Sequence, residues 1–192
     1  MNLKIGLLGG GSCGTTVASM IARNRPIKMW ARNQATVDDI NNNHRNEKYL
    51  PGADLTPSLV ATNSIEEAIH DADVLIMGVP SQSFRRVLED AKPFIRPWIP
   101  IISLSKGLEQ GTKMRMTEII AEILPGHPAG VLTGPNLAKE IHAGKAAAAV
   151  ISMVDKTIAK KLQAVFSSGL FRVYTNTDVI GSELGGALKN VM

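Results

Sequence analysis

Leu3-Lys4-Ile5-Gly6-Leu7-Leu8-Gly9-Gly10-Gly11-Ser12-Cys13-Gly14-Thr15-Thr16-Val17-Ala18-Ser19-Met20-Ile21-Ala22 is the stretch that decides the fold. It opens on a short apolar run, the pattern of a buried strand, and closes on a segment that reads as a helix. Between them Gly9, Gly11 and Gly14 form a Gly-x-Gly-x-x-Gly turn. Strand, glycine turn and helix in that order make such a match a dinucleotide-binding hypothesis. Gly9 permits the tight turn, Gly11 lets a pyrophosphate approach the backbone, and Gly14 lets the helix pack close to the strand. The first-turn amides, with the positive end of the helix dipole behind them, then face the anion. An ordinary Gly-rich connector can carry the same letters, so the rest of the chain has to decide.

Outward from this turn, strands and helices alternate. The pattern predicts a first helix from Gly14 to Asn24 and a strand from Ile27 to Ala31. A polar helix capped by Thr36 runs through Asn43, and Leu59 to Thr62 is a short strand. Ser64-Ile65-Glu66-Glu67 has the form of a capping box. Asp73 to Pro80 is a continuous apolar run, as in a parallel strand buried on both faces. Ser81 is placed to cap a helix from Gln82 to Ala91, and Ile99 to Leu104 is a strand. Met114, Met116, Ile119, Ile120 and Ile123 mark a helical stripe. Strands follow at 130–133, 146–153 and 171–174, with helices at 136–143 and 155–166. A last helix over 178–192 has Leu184, Ala187, Leu188 and Val191 on one side. Alternation of this kind predicts an α/β fold: a Rossmann-like, doubly wound, mostly parallel sheet with helices on both faces. The last strands are free to run antiparallel, as edge strands of such sheets do. The expected division is a nucleotide-binding domain over 1–177 and the start of a connecting helix over 178–192. That helix ends on Val191-Met192 with no stop signal, as expected of a chain cut inside a longer protein.

Bulk properties narrow the function. The 192 residues are 44% apolar and 20% charged, an ordinary globular composition. The net charge of +4 comes from scattered Lys and Arg, not from a basic arm. This argues against nucleic acid and suits an anionic small molecule. Cys13 is the sole cysteine, so an intrachain disulfide is impossible, and the four histidines lack metal-ligand spacing. The N-terminal apolar run is too short for a signal sequence or a membrane span. A soluble, cytoplasmic protein without a metal is the expectation.

Ligands of open α/β sheets bind beyond the carboxyl ends of the strands. That rule collects the glycine turn, Arg32-Asn33, Pro80-Ser81, Ser105-Lys106-Gly107 and Gly134-Pro135-Asn136. NAD-preferring sites usually carry an acid about 20 residues past the fingerprint. Here Ala31-Arg32-Asn33 stands there, and Arg32 suits a 2′-phosphate. NADPH is therefore favoured and NAD remains an option; an ordinary surface arginine is the alternative reading. Acid–base candidates are Lys106, in a tight turn at a strand end, and Lys189, after Gly185-Gly186 in the last helix. A lysine donates protons near neutral pH only if its surroundings lower its pKa. Spacing alone favours reading either lysine as a solvated surface charge.

Ordered motifs then carry a resemblance. They are Gly9-x-Gly11-Ser12-x-Gly14-Thr15, Trp30-Ala31-Arg32, Tyr49-Leu50-Pro51 and Val79-Pro80-Ser81, followed by Ser105-Lys106-Gly107-Leu108-Glu109. Thr133-Gly134-Pro135-x-x-Ala138-Lys139-Glu140 and Gly181-x-Glu183-Leu184-Gly185-Gly186-Ala187-Leu188-Lys189-Asn190-Val191 complete the set. Together they resemble the bacterial-type NAD(P)-dependent glycerol-3-phosphate dehydrogenases over essentially the whole chain. The resemblance implies hydride transfer between NADPH or NADH and dihydroxyacetone phosphate, making sn-glycerol 3-phosphate for phospholipid synthesis. It implies Lys189 as the catalytic lysine, with Lys106 touching both substrate and nicotinamide. Gly134 and Asn136 line the substrate site. Gly9, Gly11, Ser12, Cys13, Gly14, Arg32, Tyr49 and Ala138 lie on the cofactor side. A homodimer and a helical C-terminal domain, absent from these residues, complete the expectation. Cys13 stands where the family often has an aromatic residue, and Asn136-Leu137 where Ser or Thr and then Phe are usual. Related β-hydroxyacid and 6-phosphogluconate dehydrogenases, which pair the same fold with a helical lysine, are the competing enzyme reading. A non-catalytic nucleotide-binding module is the third.

Overall fold

A computed structural model of the chain describes residues 3–135 and 138–189. The expected features at Asn136, Leu137 and 190–192 lie outside the described residues. Eight strands form one sheet among the described residues: β1 (Ile5–Leu8), β2 (Ile27–Trp30), β3 (Val60–Thr62), β4 (Val74–Met77), β5 (Ile101–Ser103), β6 (Ala129–Thr133), β7 (Ala147–Met153) and β8 (Phe171–Asn176). Their order is β3-β2-β1-β4-β5-β6-β7-β8. β1 to β6 are mutually parallel, while β7 pairs antiparallel with β6 and parallel with β8. The reversal expected for the last strands is therefore present.

Side chains alternate across each strand. Ile5, Leu7, Val74, Ile76 and Ile102 face one layer, against α1 (Ser12–Ala22), α2 (Gln34–Asn43) and α7 (Lys156–Phe166). Leu8, Leu75, Met77 and Ile101 face the other, against α3 (Ile65–Ile69), α4 (Ser81–Ala91) and α5 (Met116–Ile123). Helices on both faces explain why Val74 to Met77 reads as an unbroken apolar run. α6 (Ala138–His142) and α8 (Val179–Leu188) complete the described helices.

Several boundaries differ from the sequence pattern for physical reasons. α1 starts at Ser12, because Gly11 already has the extended backbone of an N-cap. Asn33, not Thr36, caps α2, its side chain accepting from the Ala35 amide at 2.9 Å. α4 begins at Ser81 after Pro80 and has no side-chain cap, so Ser81 is not the cap expected of it. The Ser64 cap of α3 is present, accepting from the Glu67 amide. In α8 the apolar stripe faces outward: Leu184 and Leu188 are exposed, as is Ile180. Its buried positions are Val179 and Gly186. A Cβ at Gly186 would stand 2.8 Å from Thr133 Oγ1, so the helix meets β6 through its glycine face.

Three glycines set the centre of the molecule. Gly9 has a φ of 135°, and a Cβ there would lie 2.5 Å from the Gly78 carbonyl. A Cβ on Gly14 would lie 2.0 Å from the Gly9 oxygen, and one on Gly78 would be 3.2 Å from Gly14 Cα. Gly11, by contrast, has an ordinary φ of −76° and nothing within 4 Å of a Cβ. Gly14→Ala is expected to destabilise the protein by ~1–3 kcal/mol through overpacking, measured by urea denaturation. Gly11→Ala is expected to stay within ~0.5 kcal/mol of wild type. Equal losses would remove the distinction.

Candidate active site at the carboxyl ends of the strands

The chain leaves β1 toward β2 and β3 on one side and returns to β4 on the other. β1 and β4 thus flank the topological switch point, where open α/β sheets form their ligand crevice. The glycine turn lies there. Gly9 N donates to Trp30 O at 3.0 Å, and Gly78 N to Leu8 O at 2.7 Å. The first turn of α1 has no side-chain cap and no acidic residue, so its positive end is not neutralised locally. Ser12 is exposed at that end.

The adenosine-side candidates sit beside this turn. A Cβ on Gly10 would touch the Ala31 side chain at 2.7 Å, which puts Arg32 next to the loop. Arg32 is exposed and has no ion-pair partner among the described residues. Tyr49 is also exposed, with Lys48 Nζ 5.3 Å from its ring centroid. The turn that carries Tyr49 is tied to the glycine loop by a residue that the sequence pattern did not single out. Asn46 is fully buried, and its Nδ2 donates to Gly10 O at 3.0 Å and to Thr15 Oγ1 at 2.8 Å. One Asn among Asn41, Asn42, Asn43 and Asn46 gives no local signal of this, because both partners are more than 30 residues away.

Lys106 follows β5 on a rigid loop. Ser105 Oγ donates to Val79 O at 2.5 Å. Gly107 has a φ of 126°. Glu109 is gripped by Arg85, through Nε at 2.8 Å and Nη2 at 3.1 Å, with Thr112 Oγ1 donating at 2.6 Å. The Arg85 guanidinium and the Thr112 hydroxyl hold the Glu109 carboxyl below its usual range. The Lys-Gly-Leu-Glu motif is thus one lysine and its scaffold. Lys106 Nζ donates to Gly134 O at 3.0 Å, joining the ends of β5 and β6. Desolvation, then the charge of Lys189, pushes the Lys106 pKa down, while Cys13 acts weakly in the opposite sense. Cys13 is solvent-accessible at the mouth of this cleft. Crowding by protein raises its thiol pKa, partly offset by Lys106.

Lys189 is half-buried at the end of α8, its amide donating to Gly185 O at 3.2 Å. The structure therefore brings Cys13, Lys106, Gly134 and Ala138 to one cleft around a cavity of about 50 Å³. α8 lies against it, a Cβ at Gly186 standing 3.9 Å from Lys106 Cγ, with Lys189 close enough for its charge to act on Lys106. Asn136 lies outside the described residues. A larger cavity, about 130 Å³, lies between α1 and the loops before β7 and β8, and none of these residues lines it. No cluster of His, Cys, Asp and Glu could hold a metal among the described residues. No described helix is long and apolar enough to cross a membrane.

Comparison with known proteins gives a consistent set of relatives. The chain is 62% identical over 192 residues to glycerol-3-phosphate dehydrogenase (NAD(P)+) 2 of Sphingopyxis alaskensis, covering all of this chain and 58% of that protein. It is 55% identical over 190 residues to glycerol-3-phosphate dehydrogenase (NAD(P)+) of Mycobacterium avium, covering 98% of this chain and 55% of the relative. The crystal structure of glycerol-3-phosphate dehydrogenase from Coxiella burnetii superposes with a TM-score of 0.93 at 31% identity, covering 99% of this chain and 58% of that one. The chain thus spans little more than half the length of these relatives. Residues 4–159 match the model described as NAD-dependent glycerol-3-phosphate dehydrogenase N-terminus, and the chain belongs to that family.

Proposed function

We propose that the protein is an NAD(P)-dependent sn-glycerol-3-phosphate dehydrogenase, and that this chain carries its cofactor site and the lysines of its chemical step. The observation that carries the reading is Lys106, bonded to Gly134 O in the cleft beside the glycine turn, with α8 and its Lys189 laid against it. The residues fit a dinucleotide. Gly9 and Gly14 are glycines because the protein needs the space, whereas the space over Gly11 stays open and suits a pyrophosphate. Arg32, exposed beside the loop, is available to a 2′-phosphate, which favours NADPH over NAD. Ser12, Cys13, Tyr49 and Ala138 complete the cofactor side, and Gly134 and Asn136 the substrate side.

When bound, the nicotinamide cofactor supplies the hydride for C2 of dihydroxyacetone phosphate. The ammonium of Lys189 donates a proton to the carbonyl oxygen, and Lys106 holds the negative charge that develops there. Two cations facing one oxygen stabilise the alkoxide. The product, sn-glycerol 3-phosphate, suits phospholipid synthesis. A cytoplasmic homodimer belongs to the same reading, the sole cysteine suiting a reducing compartment.

Dihydroxyacetone phosphate reduction by the whole protein, followed by NADPH absorbance, tests the activity. Reduction of a hydroxyacid's keto partner instead would overturn it. Lys189→Ala is expected to lower kcat by about 10²–10⁴-fold with NADPH still bound. Arg32→Asp should move the NADPH/NADH preference toward NADH; an unchanged ratio would remove Arg32 from the site. Lys106→Met should raise Tm at neutral pH while abolishing turnover. The sign follows from the lowered pKa of Lys106: its charged form is penalised in the folded state. As pH rises toward the ordinary 10.5, the folded protein sheds this proton first, so the Tm advantage of the variant should shrink. A Tm difference independent of pH would contradict it.

A further inference from the structure

Two like charges in one cleft push apart, so the helix that carries Lys189 needs an anchor. α8 touches β6 and β7 through a glycine face and the Ser152–Ser182 hydroxyl pair at 2.6 Å. The remaining anchor is Glu183, whose side chain is only 6% exposed. Its carboxylate accepts from Arg115 Nη1 at 2.7 Å, from the Thr117 amide at 3.0 Å and from Thr117 Oγ1 at 2.5 Å. All three donors stand at the start of α5. Arg115 occupies the N-cap of that helix, and an arginine has no acceptor to offer. Glu183 supplies the missing acceptor from another helix, at the second amide, the usual target of a cap. Arg115 is also paired with Glu118 at 2.8 Å, which fixes it in turn.

We propose that Glu183 is a positioning residue for the lysine pair: by capping α5 from α8, it fixes the roll of α8 and so the separation of Lys189 from Lys106. The proposal rests on the reading of Lys189 as the proton donor. Helical geometry makes the link direct. At 100° per residue, Gly186 lies roughly 60° round the helix from Glu183, and Lys189 roughly 60° further. One side chain meets α5, the next position meets Thr133, and the third is close enough for its charge to act on Lys106. A roll that frees Glu183 must move Lys189. The titratable groups facing Lys106 are Lys189 from α8 and Cys13 from α1. Those facing Glu183 are Arg115 and, through it, Glu118.

The test uses the whole protein with Glu183→Gln, which keeps size and one acceptor but loses the charge. The expected result is a kcat lower by up to about 10²-fold, the scale of a 1 Å misplacement, with the Kd for NADPH within about twofold of wild type. The alkaline limb of the kcat–pH profile should move to higher pH, because Lys106 is relieved of the Lys189 charge. Wild-type kcat and pH profile would overturn the proposal. So would a loss of kcat matched by loss of NADPH binding and of Tm, since that marks a purely structural carboxylate. If Glu183→Gln does not fold, Thr117→Val removes one donor and must shift the profile in the same direction; an unshifted profile overturns the proposal. Lys189→Ala, measured alongside, separates the two readings. Wild-type turnover in that variant removes the lysine reading and the positioning role with it. A dead Lys189→Ala beside a silent Glu183→Gln removes only the positioning role.

Discussion

The structure depends on a backbone crossing from which side chains are excluded. Gly9, Gly14 and Gly78 come from the end of β1, the start of α1 and the end of β4, and a Cβ on any one of them meets main-chain atoms of another. Backbone has little room to yield, in contrast to the far end of a flexible side chain. This contact fixes where α1 begins relative to the sheet, and so the direction in which its uncapped amides point. It also brings β1 and β4 side by side in register, Leu8 opposite Met77. The crevice of the switch point is the outer side of the same crossing.

A second layer of constraint holds the lysines. Lys106 is presented by a loop that Arg85, Glu109 and Ser105 hold in shape, and Lys189 by a helix fastened to α5 and laid against β6. Both cations are carried by rigid elements, which is how a charge can be kept beside another charge. Burial of the Lys106 ammonium, and after it the charge of Lys189, lowers the pKa of Lys106. Ion pairs elsewhere on the surface, such as Lys4 with Asp71, are exposed and contribute little by comparison.

The fold was legible in the sequence because its signals are local. Runs such as Val74 to Met77 and the capping box at Ser64 announce their elements without reference to distant residues. The strand-end rule also gathered Lys106 and Gly134, which the structure joins by a hydrogen bond. What stayed hidden is long-range. Asn46 and Glu183 act on partners 31 to 68 residues away; nothing local distinguishes Asn46 from a loop amide, and the motif that contains Glu183 does not say what its carboxylate holds. The stripe of Leu184 and Leu188 shows a related limit of local pattern: an apolar face need not be the packed one where a glycine face allows closer approach.

Cys13 has one more consequence. It is the single thiol of the chain and stands accessible at the cleft that Lys106 lines. Thiol-selective alkylating dyes react through the thiolate. The raised pKa of Cys13 makes that reaction slow at neutral pH and faster in mild alkali. A dye placed there has no competing site, so its emission follows the cleft alone. Cys13 thus equips the protein with an intrinsic attachment point for watching the cleft fill and empty.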